Sequence, residues 1–178
     1  MRLPLILLAL APFALAADDD GFKPLFGKNL DGWKAKKGGD SLDGKTDAYK
    51  GRFKLTDGTL VIDPKVKGDV IIETAKEIEG DAVIRFEFKP GKGCNNDLFF
   101  RGQKFDIKLN DGKDKETAAT KTGEWNTLEI TVKGDAITFA INGKTMRSGK
   151  TKQKSSPLGI RAEFGEIEIR NLRVKTGS

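Results

Sequence analysis

The side chains with most chemical promise lie between Asn95 and Asn110. The run Asn95-Asn-Asp-Leu-Phe-Phe-Arg-Gly-Gln-Lys-Phe-Asp-Ile-Lys-Leu-Asn110 alternates polar and apolar residues, the period-2 pattern of a hairpin with one buried face. With Gly102-Gln103 as the loop, Phe100 opposes Phe105 and Leu98 opposes Ile107 on the inward face. The other face then carries Phe99 opposite Asp106 and Asp97 opposite Lys108, with Arg101 close by. An aromatic ring flanked by carboxylates and cations suits a sugar: the ring meets the apolar face of a pyranose, and the charged groups meet its hydroxyls. The same set also reads as a solvated sheet face with a cross-strand ion pair, worth about 0.2–1 kcal/mol.

Other chemistry is narrower. Glu166-Ile-Glu168 offers two carboxylates at i, i+2, and a retaining glycosidase holds its pair at roughly 5–5.5 Å. Ile167 and Ile169 explain that spacing as the polar side of a half-buried strand. The chain has no histidine, which removes a Ser-His-Asp triad, an imidazole base and any histidine metal ligand. Asn110, Asp111, Asp114 and Glu116 bear oxygens but lack the spacing of a known calcium loop, so no metal ligand is assigned and the cofactor stays open. A single cysteine, Cys94, forbids an internal disulfide and reads as a small buried residue. Trp33 and Trp125 read either as core and corner residues or as stacking platforms.

The elements that must position these residues are short strands. Leu128, Ile130 and Val132 alternate with polar residues, Gly134-Asp135 turns the chain, and Ile137, Phe139 and Ile141 alternate in the return strand. This register pairs Val132 with Ile137, Ile130 with Phe139 and Leu128 with Ile141, all on one face. Asn142-Gly143 makes a second turn that brings Met146 opposite Phe139. Phe53 to Ile62 is a hairpin around Asp57-Gly58, and Val70 to Glu73 is a short strand. Ala82, Ile84, Phe86 and Phe88 alternate up to Pro90. Leu158 to Glu163 is a strand, and the last strand, from Ile167 to Val174, slips at Arg170-Asn171 as a bulge requires. Roughly a dozen strands with hairpin-spaced turns, and no convincing helix, predict an all-β antiparallel sandwich or jelly roll.

The ends and the charge set further bounds. Arg2, the apolar run Leu3 to Phe13 and Ala14-Leu15-Ala16 read as a signal peptide over residues 1–16, which predicts an exported, periplasmic or extracellular protein. That run is too short and too proline-interrupted for a membrane span. Residues 17–178 then suffice for a single domain with its own core. Without Arg2 there remain 31 basic against 26 acidic side chains, mostly interleaved, as on a solvated surface. Lys144 to Lys154 is the basic exception and reads as a mobile Lys/Ser/Gly loop or an anion site. Arginine is scarce and no basic–aromatic repeat occurs, so nucleic acid is not an expected partner.

Several motifs together resemble the 3-keto-disaccharide hydrolase domain family, formerly a domain of unknown function with a concanavalin A-like jelly roll. They are Gly21-Phe-Lys-Pro-Leu-Phe with Leu30-Asp-Gly-Trp33, Asp57-Gly-Thr-Leu60, Asp97-Leu-Phe-Phe-Arg101-Gly and Gly123-Glu-Trp-Asn126. Asn142-Gly143, Leu158-Gly-Ile and Ile169-Arg-Asn-Leu-Arg-Val follow in the family's order. The functional positions depart from the family pattern. Cys94-Asn-Asn-Asp97 stands for Gly-Asn-Ser-Gly, Phe105-Asp-Ile-Lys108 for Tyr-Glu-x-Gln, Gly159-Ile-Arg161 for Gly-Leu-Gln, and Glu163 lies near the family's His. The resemblance implies an oligosaccharide or oxidised sugar as partner and cleavage of a 3-keto-glycoside. It also implies Asp106 or Glu163 as catalytic base and a substrate site of Asn95, Asp97, Phe99, Arg101, Lys108 and Arg161. The same resemblance, with its altered site positions, also fits a non-catalytic carbohydrate-binding module.

Overall fold

Two-residue turns with both central residues at positive φ generate three of the hairpins. They are Asp57-Gly58 (φ 47° and 74°), Arg101-Gly102 (52° and 71°) and Asn142-Gly143 (51° and 75°). This is the type I′ geometry, whose twist matches that of the flanking strands. The computed structural model describes residues 21–177, so the signal peptide expected over residues 1–16 lies outside the described residues. The early strands are β1 (Lys23–Pro24), β2 (Trp33–Ala35), β3 (Asp47–Ala48), β4 (Phe53–Thr56), β5 (Thr59–Ile62) and β6 (Val70–Thr74). Then come β7 (Ile78–Glu79), β8 (Ala82–Pro90), β9 (Asn95–Phe100), β10 (Gln103–Lys108) and a 3-10 turn, Lys115–Thr117. The chain ends in β11 (Asn126–Lys133), β12 (Ala136–Ile141), β13 (Lys144–Lys150), β14 (Ser155–Ser156), β15 (Gly159–Phe164) and β16 (Ile167–Thr176).

These strands form two antiparallel layers. One sheet runs β13-β12-β11-β8-β16-β5-β4-β3, with β1 also on β16; the other runs β10-β9-β15-β6-β2, and β7 and β14 pair with each other as a separate two-stranded ribbon. The two large sheets are the jelly-roll sheets of a β-sandwich, and no α-helix occurs among the described residues. No helix of the described residues is long and apolar enough to cross a membrane. Alternation supplies the core: Ile84, Phe86, Phe88, Leu128, Ile130 and Val132 from the large sheet meet Leu98, Phe100, Phe105, Ile107 and Ile160 from the small one. Phe105 stacks on Phe139 across the layers, with centroids 4.6 Å apart and planes within 1°. Trp33 is fully buried and donates its indole N–H to the Leu25 carbonyl at 2.6 Å, so it is core.

The meander register is as the alternation predicts: Leu128 with Ile141, Ile130 with Phe139, Val132 with Ile137. The next pairing differs. A bulge between Phe139 and Ala140 puts Arg147, not Met146, opposite Phe139. The Arg147 guanidinium then lies over the Phe139 and Phe105 rings at 4.6 and 5.2 Å and pairs with Glu116 at 3.2 Å. The basic segment is accordingly an edge strand over Lys144–Lys150 rather than a loop, and its cations blunt an exposed edge. The slip in β16 is present: pairing with β8 shifts between Arg170 and Arg173, Asn171 adopts φ 54°, and Ile167, Ile169, Leu172 and Val174 all stay buried.

Two shared motifs prove to be structural clasps. Asp31 accepts from Gly44 N–H, and Asp43 accepts from Gly32 N–H, both at 2.7 Å. Buried Asn126 uses all four of its hydrogen-bonding positions. It accepts from Lys121 N–H and Asn142 Nδ2, and donates to the Lys121 and Glu124 carbonyls.

Candidate functional site

The outer face of the five-stranded sheet gathers the charged residues. Strand β9 pairs with β10 as Asp97 with Asp106, Asn95 with Lys108 and Phe99 with Lys104. This is two residues away from the register that a Gly102-Gln103 loop requires, because the turn is Arg101-Gly102. A two-residue shift preserves the faces: Leu98, Phe100, Phe105 and Ile107 still point inward. On its other side β9 pairs with β15, Phe99 with Gly159 and Asp97 with Arg161. Gly159 leaves no more than contact space there, since a Cβ would stand 3.4 Å from Phe99 Cβ and 3.5 Å from Ile71 Cγ2.

Asp97 is the hub. It is 0 % exposed although it sits on the outer face, because two long cations cover it. Lys104 Nζ donates to Oδ1 at 3.1 Å and Arg161 Nη1 donates to Oδ2 at 2.8 Å. Lys104 also pairs with Asp106 at 2.7 Å. Arg161 forks onto Asp69, Nε at 2.6 Å and Nη2 at 2.5 Å, and its Nη2 stands 3.1 Å from Glu163. Lys108 turns away to Asp114 at 2.9 Å, and Lys36 lies 5.5 Å over the Phe99 ring while pairing with Glu73.

These contacts set the charges. The fork on Asp69, then the bond to Asp97, raises Arg161 above its already high range, so it is a permanent cation. The Arg161 hydrogen bond holds Asp69 below the usual carboxylate range. Burial pushes the Asp106 carboxyl up, but the Lys104 ammonium and the charge of Lys108 outweigh it, and the group titrates below its ordinary value. The hydrogen bond to Asp106 leads in raising Lys104.

Of the sequence-predicted site residues, the structure brings Asp97, Asp106, Arg161 and Glu163 into one network, with Asn95 and Phe99 on the same face. Lys108 shares that face but is engaged at its edge. Arg101 is not with them. It is 2 % exposed, donates Nη1 and Nη2 to the carbonyls of Gln153 (3.0 Å) and Gly80 (2.7 Å), and holds the turn against residues 151–156. Burial lowers its pKa, and only carbonyl oxygens accept from its guanidinium. Glu166 and Glu168 are not a catalytic pair: Glu168 binds Lys89 at 2.8 Å, with Ile167 and Ile169 fully buried beneath. Trp125 is half-buried beside β11, with the Arg170 guanidinium 3.8 Å and Lys89 5.6 Å from its ring centre. The carboxylates of residues 110–116 are spent on Lys108, Arg147 and loop N–H groups.

Sequence reasoning missed Lys104 and Asp69. Lys104 was readable, since it stands two residues before Asp106 on the same strand. Asp69 precedes β6 and left no periodic signal. Asn96 was also missed: fully buried, it accepts from Glu163 N–H at 2.8 Å and donates to the Phe164 carbonyl at 3.0 Å.

The sheet-face network opens at one end into a cleft of about 400 Å³ bordered by Arg52, Asp69, Glu163 and Phe164. At the other end a cleft of about 240 Å³ lies between Phe99, Gly159 and Lys36. A further cleft of about 400 Å³ lies on the far side of the molecule, over the large sheet between Arg85, Thr127, Glu129 and Thr138. The Asp97-to-Phe100 motif and the Gly159-to-Glu163 segment, where the resemblance puts functional positions, both fall on the small sheet, which marks its outer face as the candidate site.

The profile of the 3-keto-alpha-glucoside-1,2-lyase-like domain matches residues 21–175, nearly the whole chain. The chain belongs to that family. No curated protein sequence matches it significantly. Among solved structures, a protein of Parabacteroides distasonis ATCC 8503 assigned as a glycosyl hydrolase superposes with a TM-score of 0.65 at 19% identity, covering 89% of this chain and 94% of that one. The Emp47p carbohydrate recognition domain gives 0.54 at 11% identity, with 90% and 96% covered. A Bacillus subtilis protein of galectin-like fold gives 0.51 at 10%, with 80% and 87% covered. At these identities the likeness is one of fold, and it agrees with the concanavalin A-like jelly roll expected from the motifs. Within this 3-keto-alpha-glucoside-1,2-lyase-like chain, the clasps at Asp31–Asp43 and Asn126–Asn142 account for two of the shared motifs as framework rather than chemistry.

Proposed function

We propose that the protein cleaves 3-keto-glycosides on the outer face of the five-stranded sheet, with Glu163 as the base. Family membership supports the substrate class. The observation that carries the reading is the placement of Arg161, whose guanidinium reaches both Glu163 at 3.1 Å and Asp97 at 2.8 Å. A 3-keto group acidifies the hydrogen at C2. Glu163 takes that proton, and Arg161 stabilises the enolate oxygen that forms at C3. The enolate re-forms the ketone as the C1–O bond breaks, leaving a C1=C2 double bond, and the departing sugar oxygen takes up a proton. Water then adds its oxygen to C1 and a proton to C2, so the sum is hydrolysis. Arg161 suits this role because its fork on Asp69 fixes it beforehand and no reorganisation is needed.

Lys104 stands 2.7 Å from Asp106 and holds that carboxyl below its ordinary value, which disfavours Asp106 as the base. Asn95, Phe99 and Lys108 then serve substrate binding, with Lys104 beside them; buried Asp97 is not a contact but fixes Lys104 and Arg161 from beneath, and Arg101 braces the turn from behind. The A-x-A signal at Ala14-Leu15-Ala16 supports an exported protein.

A specific observation favours a second reading, a carbohydrate-binding module without turnover. Asp97, Asp106, Glu163 and Asp69 each stand against a cation. Incubation with 3-keto-disaccharides separates the two. Release of free sugar by wild type, cut about 10²-fold or more in Glu163→Gln and less in Asp106→Asn, supports the enzyme. Saturable binding with no release supports the module.

A further inference from the structure

Phe164 is the one large hydrophobic side chain that stands exposed among the described residues, at 59 %. A lone exposed Phe needs no explanation. This one does, because its parity is wrong. Ile160 and Ala162 point into the core of β15 and are fully buried, and regular alternation would send Phe164 in after them. Instead β15 bulges between Arg161 and Phe164, where Ala162 and Glu163 together oppose Asn96. Beyond the bulge Phe164 pairs with Asn95 and shares the outer face with Asp97 and Phe99. The bulge turns outward a ring that the hydrophobic effect would otherwise bury.

The bulge is built to hold that position. Buried Asn96 accepts from Glu163 N–H and donates to the Phe164 carbonyl. Gly165, at φ 68°, lies so close to the Gly93–Cys94 backbone that a Cβ would stand 2.3 Å from Gly93 C, so no other residue fits. Gly91 N–H closes the loop onto the Glu166 carbonyl at 2.9 Å. The backbone that carries the ring is thus fixed, and the ring stands at the lip of the cleft of about 400 Å³ that also holds Asp69 and Glu163. Asp69 and Glu163 are the partners of Arg161, so cleft and sheet face are one continuous surface.

We infer that Phe164 is the stacking platform for the leaving-group sugar, and so selects disaccharides over simple glycosides. This rests on the reading of Glu163 and Arg161 as the reacting centre. Arg161 opposes Asp97 and Phe164 opposes Asn95, two residues apart on β9, or about 7 Å along the strand. A ring reacting over Glu163 and Arg161 therefore places its neighbour across Phe164, apolar face to phenyl.

The test compares a 3-keto-disaccharide with the methyl 3-keto-glucoside, whose leaving group has no ring to stack. The ratio of kcat/KM for disaccharide over methyl glycoside should fall about 10-fold in Phe164→Ala and recover in Phe164→Trp. A ratio within twofold of wild type in Phe164→Ala overturns the platform. If wild type turns over neither compound, catalysis is refuted, and the same ratio is read from Kd values for the two compounds by calorimetry. Wild type that also binds neither, or binds both with a Kd ratio indifferent to Phe164→Ala, overturns the platform as well.

Discussion

Asn96→Ala tests the joint on which both the proposed base and the proposed platform depend. Asn96 is 0 % exposed, and its amide satisfies two backbone groups of the β15 bulge, Glu163 N–H at 2.8 Å and Phe164 C=O at 3.0 Å. Alanine removes both partners. A buried donor or acceptor left without a partner costs about 1–3 kcal/mol, so the pair sums to roughly 2–5 kcal/mol once some relaxation toward water is allowed. At about 2–4 °C per kcal/mol for a chain of this size, the melting temperature should fall by about 5–20 °C. Urea unfolding should show a lower midpoint with an unchanged slope, since the surface exposed on unfolding stays the same. Amide exchange gives the local readout: the Glu163 N–H should lose protection before its neighbours in β15. Phe164→Ala is the control, because an exposed side chain away from the core changes stability by about 0.5 kcal/mol at most. A loss below about 1 kcal/mol in Asn96→Ala, with Glu163 N–H protection intact, would falsify the claim that Asn96 holds the bulge.

Three further outcomes are expected. Asp69 and Asp106 titrate below the unfolded value of about 3.9, so the stability they supply is fully present above that pH and is lost as pH falls through their lower folded values; Asp106→Asn should flatten the acid limb of a stability–pH curve, and an unchanged limb contradicts the pairing with Lys104. Burial pushes the Cys94 thiol up to about 12, so native protein at pH 8 should resist thiol reagents and react fully only in denaturant, whereas rapid native labelling would show Cys94 to be accessible. Trp125→Ala should cost about 1 kcal/mol, from lost stacking with Arg170 and partial burial, where a buried ring would cost about 3–5; a loss in the larger range would mean that the ring is core after all.

Much of the sandwich was readable because one face of each strand must be apolar. The meander from Asn126 to Ile141 pairs as its alternation dictates, since a one-residue slip would expose Leu128, Ile130 and Val132 together. The hairpin of β9 and β10 shows the limit of that rule. A two-residue slip leaves every side chain on its proper face, so parity placed Asp97, Phe99 and Asp106 correctly while the turn went to the wrong residues. Turn chemistry misled here because Arg101 takes φ 52°, which Asn or Gly adopts far more readily. What holds it is tertiary: four hydrogen bonds, to Ser156, Thr151, Gln153 and Gly80, all distant in sequence.

The two bulges argue the point most directly. In β16 the apolar series breaks at Arg170-Asn171 and resumes out of phase at Leu172 and Val174, so the slip is written in the sequence. In β15 the series Ile160, Ala162, Phe164 runs on without a break, and the bulge between Arg161 and Phe164 is hidden by it. An apolar residue after a bulge reveals it only when that residue still belongs inside. Phe164 is apolar and belongs outside, so local pattern and global fold disagree at this one position of β15, next to Glu163 and the cleft. Disagreement of that kind is expected where a sequence serves something other than packing. On the proposed reading, that demand falls on the Glu163–Phe164 step rather than on the regular strands around it.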